Sequence, residues 1–175
     1  MTDSKLISLN KENLSSLNNT LVPNRLLLGP GPSNAHPEVL KALSLNPIGH
    51  LDVAYLELMS DVQNLLRYTW QCNNRMTLPM SGTGSAAMEA SIANFIEEGE
   101  RILIAKKGYF GNRLEDMASR YKADVVVIEK EWGDAFTYDE IKFEIEKNKP
   151  AIFAIVHAET STGVLQPLEG IGDIC

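Results

Sequence analysis

The short segment Ser81-Gly82-Thr83-Gly84-Ser85 has the composition of an anion-binding turn. It follows an apolar stretch and runs directly into an alanine-rich segment, as a strand that turns into a helix would. Such a turn aims free backbone N–H groups, the positive end of the helix dipole and several hydroxyls at one point. The segment therefore predicts a phosphate site. The alternative is a tight turn of small residues that packs a helix closely against a sheet.

The same segment also matches a dinucleotide-binding pattern, because Gly82–Ala87 has the form G-x-G-x-x-A. That pattern needs an acidic residue about 20 positions further on to hold the ribose hydroxyl. The corresponding segment, Leu103–Lys107, contains no carboxylate. A nicotinamide cofactor is therefore disfavoured, and the hydroxyls of Ser81, Thr83 and Ser85 suit a terminal phosphate monoester.

Two further segments carry side chains suited to ligand binding. Gly108–Arg113 places two aromatic residues between glycines, and Phe110 is the better candidate to stack on a planar heterocycle. His157–Gly163 holds an imidazole, a carboxylate and three hydroxyls directly after an apolar run. Both segments have plainer explanations, since the rings can cover the edge of a sheet and Ser-Thr-Gly can form a simple turn.

Strands and helices alternate from residue 75 onward. The predicted strands are 75–80, 101–105, 124–128 and 151–156, and the predicted helices are 84–97, 111–121 and 138–147. Short apolar runs in the strands indicate an α/β fold with a mainly parallel sheet that helices flank on both faces. Ligands bind beyond the carboxyl ends of the strands in such sheets, which is where all three chemistry-bearing segments lie.

Two helices are predicted before this alternation begins. Pro37 opens a short one that ends near Leu43, and Asp52 caps a longer one that ends near Tyr68. The longer helix has apolar residues at the spacing of one buried face: Leu58, Val62, Leu65 and Leu66.

The chain divides by composition into three predicted parts. Residues 1–24 are polar and are predicted to be a flexible N-terminal extension. Residues 25–74 are predicted to form an arm with helices, and residues 75–175 to form part of a larger α/β domain.

Composition also disfavours several kinds of partner. Sixteen basic and 23 acidic residues give a net charge of −7 without a basic stripe, so nucleic acid is not expected to bind. No stretch reaches the ~18 apolar residues of a membrane helix and the start lacks the apolar core of a signal peptide, so a cytoplasmic protein is expected. Cys72 and Cys175 are too few for a disulfide framework or a zinc site, so no metal is expected.

Four segments, in this order, resemble the class V aminotransferases, and within them the alanine–glyoxylate / serine–pyruvate aminotransferase group. They are Leu26–Asn34, Ser81–Ser85, Gly108–Arg113 and His157–Leu168. The resemblance implies the incomplete large domain of a fold-type I enzyme with pyridoxal 5′-phosphate as cofactor. It further implies small amino-acid and 2-oxo-acid substrates and a homodimer in the complete form.

The resemblance also implies roles for single residues. Thr83, Gly84 and Ser85 are expected to hold the cofactor phosphate. Phe110 is expected to stack on the pyridine ring, where many relatives have Trp, and Thr160 to reach the ring hydroxyl. Three further residues are expected on the substrate side: Gly31, Ser33 and His50.

The family's other catalytic groups are not matched by residues of this chain. They are an Asp that pairs with the pyridinium nitrogen, the lysine that forms the Schiff base with the cofactor, and an Arg for the substrate carboxylate. Lys106 and Lys107 do not correspond to that lysine. The resemblance therefore implies the N-terminal part of a transaminase that moves an amino group between alanine or serine and glyoxylate or pyruvate. This part is expected to be inactive alone, with exposed apolar surface and a bare sheet edge.

Three alternatives remain open from the sequence. The chain can be a non-catalytic remnant that keeps a phosphate or pyridoxal phosphate site, or one half of a split enzyme. An oxidoreductase subunit ranks last, because two cysteines cannot supply the four thiolates of a usual iron–sulfur cluster.

Overall fold

The computed structural model describes residues 24–175, and these residues belong to two compact units that divide after Pro47. The predicted N-terminal extension lies outside the described residues, except for its last residue. Within residues 24–175, no helix is both long enough and apolar enough to cross a bilayer.

The described part of the first unit, residues 24–47, is an extended arm followed by a short helix. The Asn34 side chain folds the arm back on itself, since it accepts a hydrogen bond from the Leu27 N–H at 2.7 Å and donates one to the Arg25 carbonyl at 2.9 Å. Helix α1 spans Pro37–Leu43 and begins after His36, whose imidazole caps it. The predicted short helix is confirmed.

The second unit begins with helix α2, which spans Val53–Trp70. Asp52 caps it as predicted, with its carboxylate accepting the Ala54 N–H at 2.9 Å. The predicted buried face is confirmed only in part: Val62 and Leu66 are half-buried, no residue of the helix is fully buried, and Leu58 and Leu65 are 52% and 64% exposed. A helical period shows which residues share a face, but it does not show what covers that face.

A parallel three-stranded sheet forms the centre of the second unit. Its strands are β1 (Arg101–Lys106), β2 (Asp124–Glu129) and β3 (Ile152–Ile155), in the order β2-β1-β3. In the register of the ladder, Ile104 of β1 pairs with Val127 on one side and Ala154 on the other. The predicted parallel α/β fold is confirmed.

Three helices flank this sheet: α3 (Gly84–Phe95), α4 (Tyr109–Arg120) and α5 (Tyr138–Asn148). Successive side chains of β1 point to opposite faces, so the central strand is covered twice. Ile104 packs in one buried cluster with Leu114 of α4, and Leu103 packs in a second cluster with Ile141 of α5. The four residues from Ile102 to Ala105 are consequently buried.

The predicted strand at 75–80 is wrong. This segment pairs with no strand in the described part of the chain, and Met76 and Met80 are 78% and 86% exposed. Apolar composition favours an extended backbone, but a strand forms only when a neighbour supplies its hydrogen bonds.

Two short elements that the sequence did not predict follow β3. Strands β4 (Ala158–Glu159) and β5 (Val164–Leu165) form an antiparallel hairpin. Its turn ends at Gly163, whose φ of +77° lies in the left-handed region that favours glycine. A 3₁₀ helix at Ile171–Asp173 closes the described chain.

Candidate active site

A cavity of about 610 Å³ lies at the starts of α3 and α4 and at the carboxyl end of β3. This volume falls in the range of about 300–1,000 Å³ that is typical of small-molecule sites. Three separate segments line it, together with apolar side chains of the core: Thr83, Gly84, Ser85, Met88, Ser91, Phe110, Leu114, Ile155, Val156, Ala158 and Thr160. The lining therefore includes all five residues that are predicted to hold a cofactor: Thr83, Gly84, Ser85, Phe110 and Thr160.

The first wall of the cavity is the N-terminus of α3. Thr83 is the N-cap residue, and its hydroxyl oxygen accepts the Ala86 N–H at 3.2 Å. The first N–H groups of a helix have no partner within the helix, so those of Gly84 and Ser85 are free to meet a ligand. A Cβ at Gly84 would find no atom within 4 Å, which leaves room for an anion at the positive end of the helix dipole.

The second wall is the first turn of α4. The helix begins at Tyr109, two residues earlier than predicted, and this places Phe110 on the helix and not in a loop. The Tyr109 ring meets the Phe110 ring edge to face, with centroids 5.3 Å apart and planes at 88°. This edge-to-face contact helps to hold the Phe110 ring in its orientation at the cavity.

The third wall follows β3 and includes the turn of the β4–β5 hairpin. Thr160 lies there, and it is exposed at the cavity. Val156 and Ala158 add apolar surface beside it. The cavity lining thus combines hydroxyls and a helix N-terminus with apolar side chains and an aromatic ring.

Glu159 and Ser161 connect the second and third walls. They belong to the predicted ligand segment His157–Gly163, but the sequence assigns them no individual role. The Glu159 carboxylate accepts the Phe110 N–H at 3.2 Å, and the Ser161 hydroxyl accepts the Tyr109 N–H at 3.1 Å. They supply the cap that α4 lacks locally, because its N-cap residue, Gly108, has no side chain to bind the first N–H groups.

Comparison with known proteins identifies the family. The model of "Aminotransferase class-V" matches residues 26–175, which is most of the chain. The chain belongs to the class V aminotransferase family. It is 42% identical over 154 residues to the alanine–glyoxylate aminotransferase of Mus musculus, and 41% identical over 153 residues to the (S)-ureidoglycine–glyoxylate transaminase of Bacillus subtilis (strain 168).

A solved member of this family has the same fold. The crystal structure of the alanine–glyoxylate aminotransferase from Nostoc sp. superposes with a TM-score of 0.86 at 57% identity, covering 97% of this chain. The chain spans only 45% of that structure's length, and 37% of the length of the mouse and Bacillus relatives. The similarity therefore concerns the part of the class V fold that these residues form.

Lys106 and Lys107, which precede α4 in the chain, do not line the cavity. Lys106 contacts Glu115 at 3.0 Å and Glu129 at 3.5 Å, and the hydrogen bond to Glu115 raises its pKa. Lys107 is 1% exposed, and its Nζ has no hydrogen-bond partner among the described residues. Burial lowers the pKa of Lys107, although the nearby Glu159 carboxylate opposes this shift.

The residues predicted on the substrate side belong to two other segments of the chain. Gly31 and Ser33 are exposed residues of the first unit's arm. His50 is exposed in the turn that precedes α2. Their contact with substrate stays a prediction. Within residues 24–175, no group of three or more His, Cys, Asp or Glu side chains is placed to hold a metal ion.

Proposed function

We propose that this chain is the N-terminal part of a pyridoxal 5′-phosphate-dependent transaminase that moves an amino group between alanine or serine and glyoxylate or pyruvate. One observation carries the proposal: residues from three segments, widely separated in the sequence, line one cavity at the starts of α3 and α4 and the carboxyl end of β3. The names of the mouse, Bacillus and Nostoc relatives, all glyoxylate aminotransferases, support this substrate class.

The wall formed by α3 fits the phosphate of this cofactor. Thr83, Gly84 and Ser85 all line the cavity, and they carry two free helix N–H groups and two hydroxyls that could meet a phosphate. The Thr83 oxygen accepts the Ala86 N–H, and its own hydroxyl hydrogen remains available to a phosphate oxygen. A dianion at this position gains from the helix dipole as well as from the donors.

The second and third walls of the cavity fit a flat ring. Phe110 offers a stacking surface that contributes about 0.5–1.5 kcal/mol beyond burial, and Thr160 offers a hydroxyl for the ring oxygen. Leu114 and Ile155 add apolar surface to the lining. When bound, the cofactor supplies the carbonyl that holds the substrate nitrogen and the ring that delocalises electrons from the substrate α-carbon.

We further propose that these 175 residues alone do not transfer amino groups. Transamination needs a lysine amine that holds the cofactor and carries a proton at the substrate α-carbon. Neither Lys106 nor Lys107 lines the cavity. The cytoplasmic location and the homodimer remain predictions.

A chimera tests this proposal. Residues 1–175 are joined to the remaining residues of the Nostoc aminotransferase, whose corresponding part is 57% identical. The chimera is expected to convert alanine and glyoxylate to pyruvate and glycine, and the isolated chain is not. A folded chimera that binds no pyridoxal phosphate contradicts the family role of the cavity. An isolated chain that matches the chimera's rate contradicts the requirement for an additional lysine.

A further inference from the structure

Helix α4 is capped by residues that lie far along the chain. Its N-cap residue, Gly108, has no side chain to bind the first N–H groups. Ser161 binds the Tyr109 N–H from 52 residues away, and Glu159 binds the Phe110 N–H from 49 residues away. The turn of the β4–β5 hairpin therefore performs the task that an N-cap side chain performs in most helices.

The Glu159 carboxylate is buried and well supplied with hydrogen bonds. It is 1% exposed, and besides the Phe110 N–H it accepts the Ser161 N–H at 3.3 Å and the Ser161 hydroxyl at 2.5 Å. A buried carboxylate is strongly unfavourable without such partners. Here the start of a helix, with its positive dipole end, and the neighbouring Lys107 both compensate the negative charge.

Gly108 is required by this arrangement for a steric reason. A Cβ at this position would lie 2.5 Å from the Glu159 Cγ and 2.6 Å from its Cδ. The Glu159 side chain thus occupies the space that a side chain on the N-cap residue would fill. The glycine and the glutamate form one unit, although they are distant in sequence.

This unit connects two walls of the cavity but not the third. Phe110 donates its N–H to Glu159, and Thr160 is the next residue in the chain. Thr83, Gly84 and Ser85 lie at the N-terminus of α3, and none of them contacts Glu159 among the described hydrogen bonds. We propose that Glu159 is a positioning residue, which sets the Phe110 ring relative to the Thr160 hydroxyl and thereby prepares the ring subsite of the cofactor cavity. This inference rests on the proposed function.

The test separates the ring subsite from the phosphate subsite with two ligands. Pyridoxine 5′-phosphate carries both ring and phosphate and needs no lysine, whereas inorganic phosphate occupies only the phosphate subsite. Glu159→Gln keeps the size of the side chain but places an amide N–H against donors. We expect pyridoxine 5′-phosphate to bind roughly ten-fold more weakly, because the hydrogen bond from the Phe110 N–H to a charged carboxylate is stronger than one to a neutral amide. Binding of inorganic phosphate is expected to stay unchanged.

Glu140→Gln is the matched control. Glu140 also binds the N-terminus of a helix, α5, through the Thr137 N–H at 2.7 Å, but it does not line the cavity. Both ligands are expected to bind this control as they bind the wild-type chain. Calorimetric titration gives the affinities, and thermal unfolding measures the stability of each variant.

The outcomes distinguish the inference from the function on which it rests. If Glu159→Gln weakens both ligands equally, or neither, the positioning role is overturned while the cofactor cavity stands. If the wild-type chain binds no pyridoxine 5′-phosphate, the proposed function fails and the inference fails with it. If Glu159→Gln does not fold, Ser161→Ala replaces it in the test. We expect Ser161→Ala to bind pyridoxine 5′-phosphate about three-fold more weakly and inorganic phosphate as the wild type does.

Discussion

At the scale of single residues, Phe110 decides whether the cavity prefers a flat ring to a bare phosphate. Phe110→Ala removes the stacking surface, and we expect pyridoxine 5′-phosphate to bind roughly three- to ten-fold more weakly. Phe110→Trp keeps an aromatic face and should bind nearly as the wild type does. Fluorescence titration measures both, with Phe143→Ala, an exposed residue of α5, as control. Equal affinities for Phe110→Ala and wild type would contradict this role.

Gly108 provides a second test at this scale, on stability. Gly108→Ala forces a Cβ against the Glu159 side chain, and overpacking of this kind costs about 1–3 kcal/mol. Gly172→Ala is the control, because its Cβ would meet no atom within 4 Å. Urea unfolding should show a clearly lower midpoint for Gly108→Ala than for Gly172→Ala. Similar midpoints would contradict this prediction, since they would show that the Glu159 side chain moves aside for the new Cβ without loss of stability.

The site residues differ in how far the sequence alone could identify them. Thr83, Gly84 and Ser85 belong to a local motif, a strand-like segment that turns into a helix, so their spacing carried the prediction. Glu159 could not be identified in this way, because its role depends on a contact with Phe110 across 49 residues. The sequence showed a carboxylate in the segment His157–Gly163, but nothing in it indicated the contact with α4.

At the scale of secondary-structure elements, the start of α5 illustrates how local sequence fixes local structure. Thr137 and Glu140 form a capping box, and Lys130 contacts the Glu140 carboxylate at 2.8 Å. The contact with Lys130 and the Thr137 N–H together lower the pKa of Glu140 to about 2. The carboxylate therefore stabilises the folded chain at neutral pH.

This pKa shift predicts a specific response to acid. A glutamate in an unfolded chain has a pKa of about 4.3, so the stabilisation is complete above that value. It is lost as the pH falls through the window from about 4.3 toward about 2. Wild type should therefore lose more stability than Glu140→Gln between about pH 5 and pH 3. Urea midpoints at the two pH values check this, and identical losses in both proteins would contradict it.

The elements that the sequence predicted correctly are those with a long local signal. Strands β1, β2 and β3 and helices α3, α4 and α5 each carry an apolar run or a helical period. The two-residue strands β4 and β5 are too short to show any period. The segment 75–80 shows the reverse error, since its apolar residues were read as a strand although no neighbour pairs with it in the described part of the chain.

At the scale of the whole molecule, the exposed apolar residues of α2 should make the isolated chain associate. Leu58 and Leu65 lie two turns apart on one face and are 52% and 64% exposed. Large exposed apolar patches promote association. Light scattering should therefore rise with concentration for the wild type, and less so for the double variant Leu58→Glu/Leu65→Glu. Leu165→Glu is the control, because Leu165 on β5 is similarly exposed. If this control reduces the light scattering as much as the double variant does, added charge and not the face of α2 explains the effect.

The central claim is that the three walls form one cofactor cavity, and a single titration series tests it most directly. The wild-type chain is titrated with pyridoxine 5′-phosphate, with pyridoxine and with inorganic phosphate. The phosphate ester should bind more tightly than either part, and Ser85→Ala should weaken both phosphate ligands while leaving pyridoxine unchanged. Equal affinity for pyridoxine with and without its phosphate, or no binding of the ester, would contradict the assignment of the Thr83–Ser85 turn and Phe110 to one site.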